Sequence, residues 1–225
     1  MDEYTIRPIA YIHNDLKTKF GVPRQSGLAN SLLSEIVFEP EFRVSDALRG
    51  ITDFSHVWLI WSFSEARRDG WSPTVRPPRL GGNERVGVFA TRSPYRPNSL
   101  ALSCVKLVRV EHREGLGDIL IVSGADLMNG TPIYDIKPYL PYADSIEDAI
   151  GGFAPDGGKT LEIVDESGAV NKLPKEKRAA LTELLVRDPR PQYHDDKERV
   201  YGMSYGDFEI KFRVDGETLY VVSVE

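Results

Sequence analysis

The sequence predicts a mainly β protein: a β-barrel or closed sheet over the first two thirds, then a small α+β domain. Short apolar runs broken by Gly, Pro and Asn fill the first part with little sustained helical period. One amphipathic helix pattern followed by two alternating strands fills the second. No G-x-G-x-x-G opens a helix, which disfavours a dinucleotide-binding fold.

In chain order, strands are predicted over residues 5–12, 35–38, 56–63, 85–90, 102–111, 118–123 and 133–136. The run Val57, Trp58, Leu59, Ile60, Trp61 is apolar at every position, which predicts a central strand buried on both faces. A short helix is expected over 45–48, with Ser45 as N-cap and Gly50 near its end. Residues 1–148 form the first domain on this reading. The segment IGGFAPDGGKT marks a linker over 149–160, and the second domain covers 161–225. Its helix starts near Pro174, carries Ala180, Leu181, Leu184 and Leu185 as an apolar stripe, and stops at Asp188-Pro189. Two strands follow, marked by Phe208, Ile210, Phe212 and Val214 and by Leu219 and Val221, and they turn at Asp215-Gly216. At this size the second domain is expected to dock on the first.

Composition excludes several classes. The longest apolar run, 57–63, is far short of the roughly 20 residues of a membrane-spanning helix, and the N-terminus MDEYTIRP lacks a secretory signal pattern. A cytoplasmic protein without membrane contact is expected. With one cysteine, Cys104, no internal disulfide or multi-thiolate zinc site can form, and His13, His56, His112 and His194 show no metal-ligand spacing, so no metal is expected. Cys104 itself reads as a small core hydrophobe. GFAPDGGKT approaches a phosphate loop but places Gly158 where the lysine belongs. There is no G-x-S-x-G and no H-E-x-x-H.

The net charge of −6 conceals a polar distribution. Residues 65–96 contain seven arginines, no lysine and three acids, a local +4, which leaves −10 on the rest of the chain. Guanidinium groups bind phosphates and carboxylates in a bidentate fork and stack on rings, so this window reads as a surface for an anionic ligand or RNA.

Three stretches combine turn residues with committed polar ones. GVPRQSG at 21–27 rigidifies a turn that projects Arg24 and Gln25; the bland alternative is an ordinary surface turn. GVFATRSPYRPNS at 87–99 runs a strand into a loop with Arg92 and Arg96, which could equally be arginines satisfying buried carbonyls. DLMNGTPIYDIKPYLPY at 126–142 follows a turn with alternating residues, which could be a hairpin with Asp135–Lys137 pairing. Together they point to one shared pocket.

GVPRQSG, RPPRLGGNERVGVFATRSPYRPN and NGTPIYDIKPYLPY resemble the TsaA-like family of S-adenosylmethionine-dependent tRNA methyltransferases, the TrmO family. DPRP and YGMSYGDFEIKFRV resemble the small C-terminal domain of its bacterial members. The resemblance implies a β-barrel homodimer that methylates N6 of N6-threonylcarbamoyladenosine at position 37 of threonine tRNA. It implies S-adenosyl-L-methionine as cofactor, contacted by Pro23, Arg24, Gln25, Phe63, Ser64, Arg92, Leu102, Asn129, Gly130, Thr131 and Pro132. The chain departs from the commonest family pattern at Asn129, often Asp, at Ala101, often Gly, and at Ser64, His in some members. Arg76, Arg79, Arg85 and Arg96 are the RNA-binding candidates, facing the anticodon loop. Arg92 or Arg24 would pair with the methionine carboxylate, and Asp126, Asp135 and Tyr139 are the candidate proton acceptors. The competing readings are a barrel that binds S-adenosylmethionine as a sensor without turnover, and a methyltransferase of this fold with another acceptor.

Overall fold

The structure is a computed structural model that describes residues 3–63, 70–191 and 196–225. Six strands form one sheet whose hydrogen-bonded order closes on itself, β1-β2-β7-β6-β3-β8. They are β1 (Ala10–His13), β2 (Leu33–Phe38), β3 (His56–Ser62), β6 (Leu100–Arg113), β7 (Gly117–Ser123) and β8 (Pro132–Pro138). Every pairing in the ring is antiparallel. A separate two-stranded ribbon joins β4 (Thr74–Val75) to β5 (Val86–Gly87). The mainly β expectation is met.

Alternation explains the interior. Val57, Leu59 and Trp61 of β3 face inward with Ile36 and Phe38 of β2, Val105 and Leu107 of β6, and Leu120 and Val122 of β7. The strand buried on both faces is β7, where Ile119 to Ser123 are all buried, and not β3 as its apolar run predicted. Trp58 and Ile60 are half-buried on the outer face of β3. There the Trp58 ring lies 5.7 Å from that of Tyr139, and its indole N–H donates to Asp144 Oδ2 at 3.0 Å. This contact holds α1 (Pro141–Asp144) against the sheet. Cys104 is likewise on the outer face, half-buried rather than in the core, and burial and the nearby Asp144 push its thiol pKa up.

Two predicted strands shrink for backbone reasons. β1 begins at Ala10 rather than residue 5, because Pro8 has no N–H to give to the ladder. The predicted strand 85–90 pairs only at Val86 and Gly87, then coils into a 3-10 turn at Val88–Ala90 closed by the Thr91 hydroxyl on the Val88 carbonyl. The helix at Ser45–Leu48 appears as a single 3-10 turn.

The C-terminal lobe has a four-stranded sheet, ordered β10-β11-β12-β9. β9 (Glu162–Val164) runs parallel to β12 (Thr218–Val224), while β10 (Tyr201–Tyr205) and β11 (Phe208–Asp215) complete an antiparallel meander. β9 and β10 went unpredicted: one is three residues long, and the other carries Gly202 and Ser204 in its middle. α2 (Lys175–Val186) lays Ala180, Leu181, Leu184 and Leu185 onto the sheet. The hydrophobic cluster there also takes in Leu16, Ala29 and Leu32, with Phe20 and Val22 packed against it, all from the loop between β1 and β2. That loop is thus part of the core of the second lobe. The Ser31 N–H and hydroxyl both donate to Glu183 on α2, at 2.8 and 2.7 Å, and Lys177 pairs with Asp15.

Candidate active site

The antiparallel register places three connections at one end of the closed sheet. β1, β3 and β7 all end there, and β2, β6 and β8 all begin there, as the pairs His13↔Glu35, Ser62↔Leu100, Leu33↔Ser123 and Tyr11↔Pro132 require. The connections are residues 14–32, 63–99 and 124–131, and each holds one of the three polar stretches. The same end collects Ser34, Ser62, Ser103, Ser123 and Thr131, the buried polar side chains among the described residues. A bulge between Ile60 and Trp61, where β3 pairs with β8, bends the sheet beside it.

A chain of hydrogen bonds runs from the sheet interior into this end. The Trp61 indole N–H donates to Ser103 Oγ at 2.9 Å, and the Ser103 hydroxyl donates to Asp126 Oδ1 at 2.6 Å. Asp126 also accepts a backbone N–H from Ser26 and faces the charge of Arg92. Burial pushes the Asp126 carboxyl above the ordinary carboxylate range; the Ser103 bond, the backbone bonds and Arg92 pull the other way without cancelling it. Arg92 donates to Gln25 Oε1, which ties the second loop to the first. Asn129 Oδ1 accepts the Asn14 N–H at 3.1 Å, while Asn14 Nδ2 donates to the Leu127 carbonyl at 2.9 Å. Gly130, at φ 79°, gives its N–H to the Ile12 carbonyl at 2.7 Å, and its outer side is open: a Cβ there would meet nothing within 4 Å. Thr131 and Pro132 are buried beneath the turn.

The structure therefore brings Arg92, which holds Gln25, toward Asp126, while the 129–132 turn is tied to β1 and its loop at the same end of the sheet. Phe63 stands at the end of β3 with its ring 4.6 Å from Trp61, and Leu102 is 51% exposed on the outer face of β6. Pro23 and Arg24 turn the other way. They line a crevice against Leu184, Arg187, Asp188 and Pro189 of the C-terminal lobe. The Arg24 guanidinium donates to the Asp188 and Arg190 carbonyls at 3.2 and 3.3 Å, and partial burial pulls its pKa down. Ser64 lies outside the described residues.

The four RNA candidates divide as well. Arg79 holds the linker through the Asp156 carbonyl at 2.7 Å and carboxylate at 3.3 Å, and Arg96 donates to the Thr91 and Val88 carbonyls at 2.7 and 3.3 Å. Arg85 reaches the Thr74 hydroxyl at 2.9 Å, and Arg76 is exposed with no hydrogen bond or ion pair to another described residue. Asp135 pairs with Lys137 at 3.0 Å, away from the Asp126 network. Reading the sequence missed Ser103 and Asn14. Ser103 did leave a signal, as a polar residue at an inward position of an apolar strand; Asn14 left none.

The sequence profile of the tRNA-methyltransferase O N-terminal domain matches residues 11–145, and that of the TrmO C-terminal domain matches residues 162–225. The chain belongs to the TrmO family. Among relatives, the tRNA (adenine(37)-N6)-methyltransferase of Escherichia coli is 40% identical over 100% of this chain and 99% of its own length. A putative S-adenosylmethionine-dependent methyltransferase of Pseudomonas aeruginosa is 38% identical over 92% of this chain and 91% of its own. The crystal structure of TrmO from Pseudomonas aeruginosa superposes with a TM-score of 0.82 at 30% identity, covering 100% of this chain and 98% of that one. Among the described residues, no helix is long and apolar enough to cross a membrane, and no cluster of His, Cys, Asp and Glu could hold a metal ion.

Proposed function

We propose that this chain is a cytoplasmic S-adenosylmethionine-dependent methyltransferase that methylates N6 of N6-threonylcarbamoyladenosine at position 37 in the anticodon loop of threonine tRNA. The observation that carries this reading is the match of the whole chain, both lobes included, to the tRNA (adenine(37)-N6)-methyltransferase of Escherichia coli. On this reading the closed sheet is a β-barrel spanning residues 1–148, joined through 149–160 to a C-terminal domain at 161–225. The working unit is a homodimer.

The residues at the mouth fit the cofactor. It has an apolar body and a zwitterionic amino-acid tail, and the mouth offers a guanidinium, a buried carboxylate, an open backbone turn and two partly exposed apolar side chains. Arg92, held by Gln25, takes the methionine carboxylate; Asn129 and Gly130 present backbone groups; Phe63 and Leu102 supply apolar walls. Thr131 and Pro132 support the turn from below. Pro23 and Arg24 set the first loop by locking it to the C-terminal lobe. When bound, the cofactor supplies an electrophilic methyl group on a sulfonium.

The protein has two further tasks. It holds the acceptor nitrogen in line, and it accepts the proton that this urea-like nitrogen must lose. Asp126 is the side chain this geometry favours for that proton. Its carboxylate is fixed by Ser103 and the Ser26 N–H, and its raised pKa makes it a better base than an exposed aspartate. Arg76 and Arg85 face the RNA phosphates, while Arg79 and Arg96 shape the surface that carries them.

The test is single-turnover methylation by purified protein with S-adenosylmethionine and threonine tRNA, with and without the threonylcarbamoyl group. Methyl transfer only to the modified tRNA supports the reading. Equal transfer to the unmodified tRNA moves the acceptor to plain adenosine, and cofactor binding without transfer to either leaves only a sensor.

A further inference from the structure

The second loop carries two large aromatic rings in solvent. Trp71 is 51% exposed and Phe89 is 71% exposed, yet their rings lie 6.3 Å apart with planes within 25° of parallel. Exposed rings cost free energy, and a monomer seldom leaves two of them paired on its surface without use. These two are also held in place. The Ser72 N–H, next to Trp71, donates to the Tyr95 carbonyl at 3.1 Å, and the Val88 N–H donates to the Pro73 carbonyl at 3.0 Å, which locks the ribbon carrying both rings. The Arg96 guanidinium lies 5.8 Å from the Phe89 ring centre and is itself fixed by the Thr91 and Val88 carbonyls. Phe89 thus has a guanidinium and an indole as close neighbours and still keeps 71% of its surface exposed.

We propose that Trp71 and Phe89 form a stacking platform for unpaired RNA bases. Charge selects this occupant over an apolar one: residues 70–100 contain five arginines, no lysine and one acid, Glu84, in a chain whose net charge is −6. An aromatic surface set in a field of arginine suits single-stranded nucleic acid, whose bases stack while its phosphates meet the guanidinium groups. Arg76 and Arg85 follow and precede the Val75↔Val86 pair at one end of the β4–β5 ribbon, and Trp71 and Phe89 flank its other end. The proposal rests on the tRNA reading above and adds the part of the surface that would grip the splayed bases of the loop.

The test uses the full chain and two probes: a ten-nucleotide oligo(rA), and heparin, a polyanion without bases. Trp71 is the exposed one of the three tryptophans, with Trp58 half-buried and Trp61 buried, so base stacking should quench its emission. Oligo(rA) is expected to quench and heparin is not, and Trp71→Phe should abolish the quench while keeping oligo(rA) affinity within about twofold. The double variant Trp71→Ala/Phe89→Ala should weaken oligo(rA) binding by tenfold or more, roughly the effect of losing one stacked base, and leave heparin binding and S-adenosylmethionine binding unchanged. An unchanged oligo(rA) affinity in the double variant overturns the proposal. So does a shift from dimer to monomer in sedimentation with RNA affinity intact, which would make the rings a subunit contact. Wild-type protein that binds neither oligo(rA) nor tRNA would overturn the tRNA reading itself, a result distinct from failure of the double variant alone.

Discussion

Replacing Arg92 and Arg24 in parallel tests the proposal that Arg92 binds the cofactor while Arg24 holds the first loop to the C-terminal lobe. In sequence, both are candidates for the methionine carboxylate. Arg92 meets Gln25 and the field of Asp126 at the mouth of the closed sheet, whereas Arg24 spends its donors on the Asp188 and Arg190 carbonyls. A hydrogen bond to a charged group contributes about 1.5–3 kcal/mol, roughly 10- to 100-fold in a dissociation constant. Arg92 is exposed, so water and salt screen it and the lower end applies: Arg92→Ala should weaken S-adenosylmethionine binding by about tenfold. Arg92→Lys keeps the charge but loses the planar fork, and should recover only part of that loss. Arg24→Ala should leave the constant within about twofold and lower the melting temperature instead, because two carbonyls lose their donor. Calorimetric titration of the cofactor into each variant at low and moderate salt measures these effects. An Arg92→Ala constant equal to wild type, or a larger loss for Arg24→Ala with no change in stability, would refute the assignment.

Three other expectations follow from the same contacts. Asp126→Asn should cut the rate of methyl transfer at least tenfold while leaving cofactor binding within about twofold. Because burial raises the Asp126 pKa, the wild-type rate should fall as pH drops through a point above the ordinary aspartate range, and in the variant that limb should vanish; weakened cofactor binding instead would make Asp126 a partner of the cofactor's ammonium group. Gly21 sits at φ 96° against Met203 on β10, and a Cβ there would fall 2.7 Å from Met203 Cγ, so Gly21→Ala should cost roughly 2–4 kcal/mol from overpacking plus left-handed strain, and Met203→Ala in the same chain should restore part of it in thermal melts. Asp144 accepts from the Leu140 N–H and the Trp58 indole, which depress its pKa, so its hold on the outer face of β3 should persist above the ordinary aspartate range and fail as pH falls through the depressed value; Trp58 emission in Asp144→Asn should lack that low-pH transition.

Much of this architecture was legible in the sequence, and the failures have physical causes. Strand periodicity located all six strands of the closed sheet because each has one face in the core and little else to satisfy. It could not say which strand is covered twice, since that depends on what packs outside: the apolar run at Trp58 and Ile60 misled, and the burial of Ile119 and Ile121 on the outer face of β7 went unpredicted. The three polar loops announced themselves through Gly and Pro, but only the register shows that they leave the same end of the sheet. Arg24 and Arg92 look alike in sequence. Their different partners are set by where the C-terminal lobe docks, a long-range contact that no local pattern encodes. Among Asp126, Asp135 and Tyr139, Asp126 is the one that Ser103, a single hydroxyl on an inward position of β6, holds by a hydrogen bond, and no local pattern encodes that contact.

The most direct measurement is nucleoside mass spectrometry of total tRNA from cells with and without this gene. Without the gene, threonylcarbamoyladenosine is expected to lose its methyl group in threonine tRNA alone, and purified protein with S-adenosylmethionine is expected to restore it. A nucleoside profile identical in the two strains would contradict the central claim.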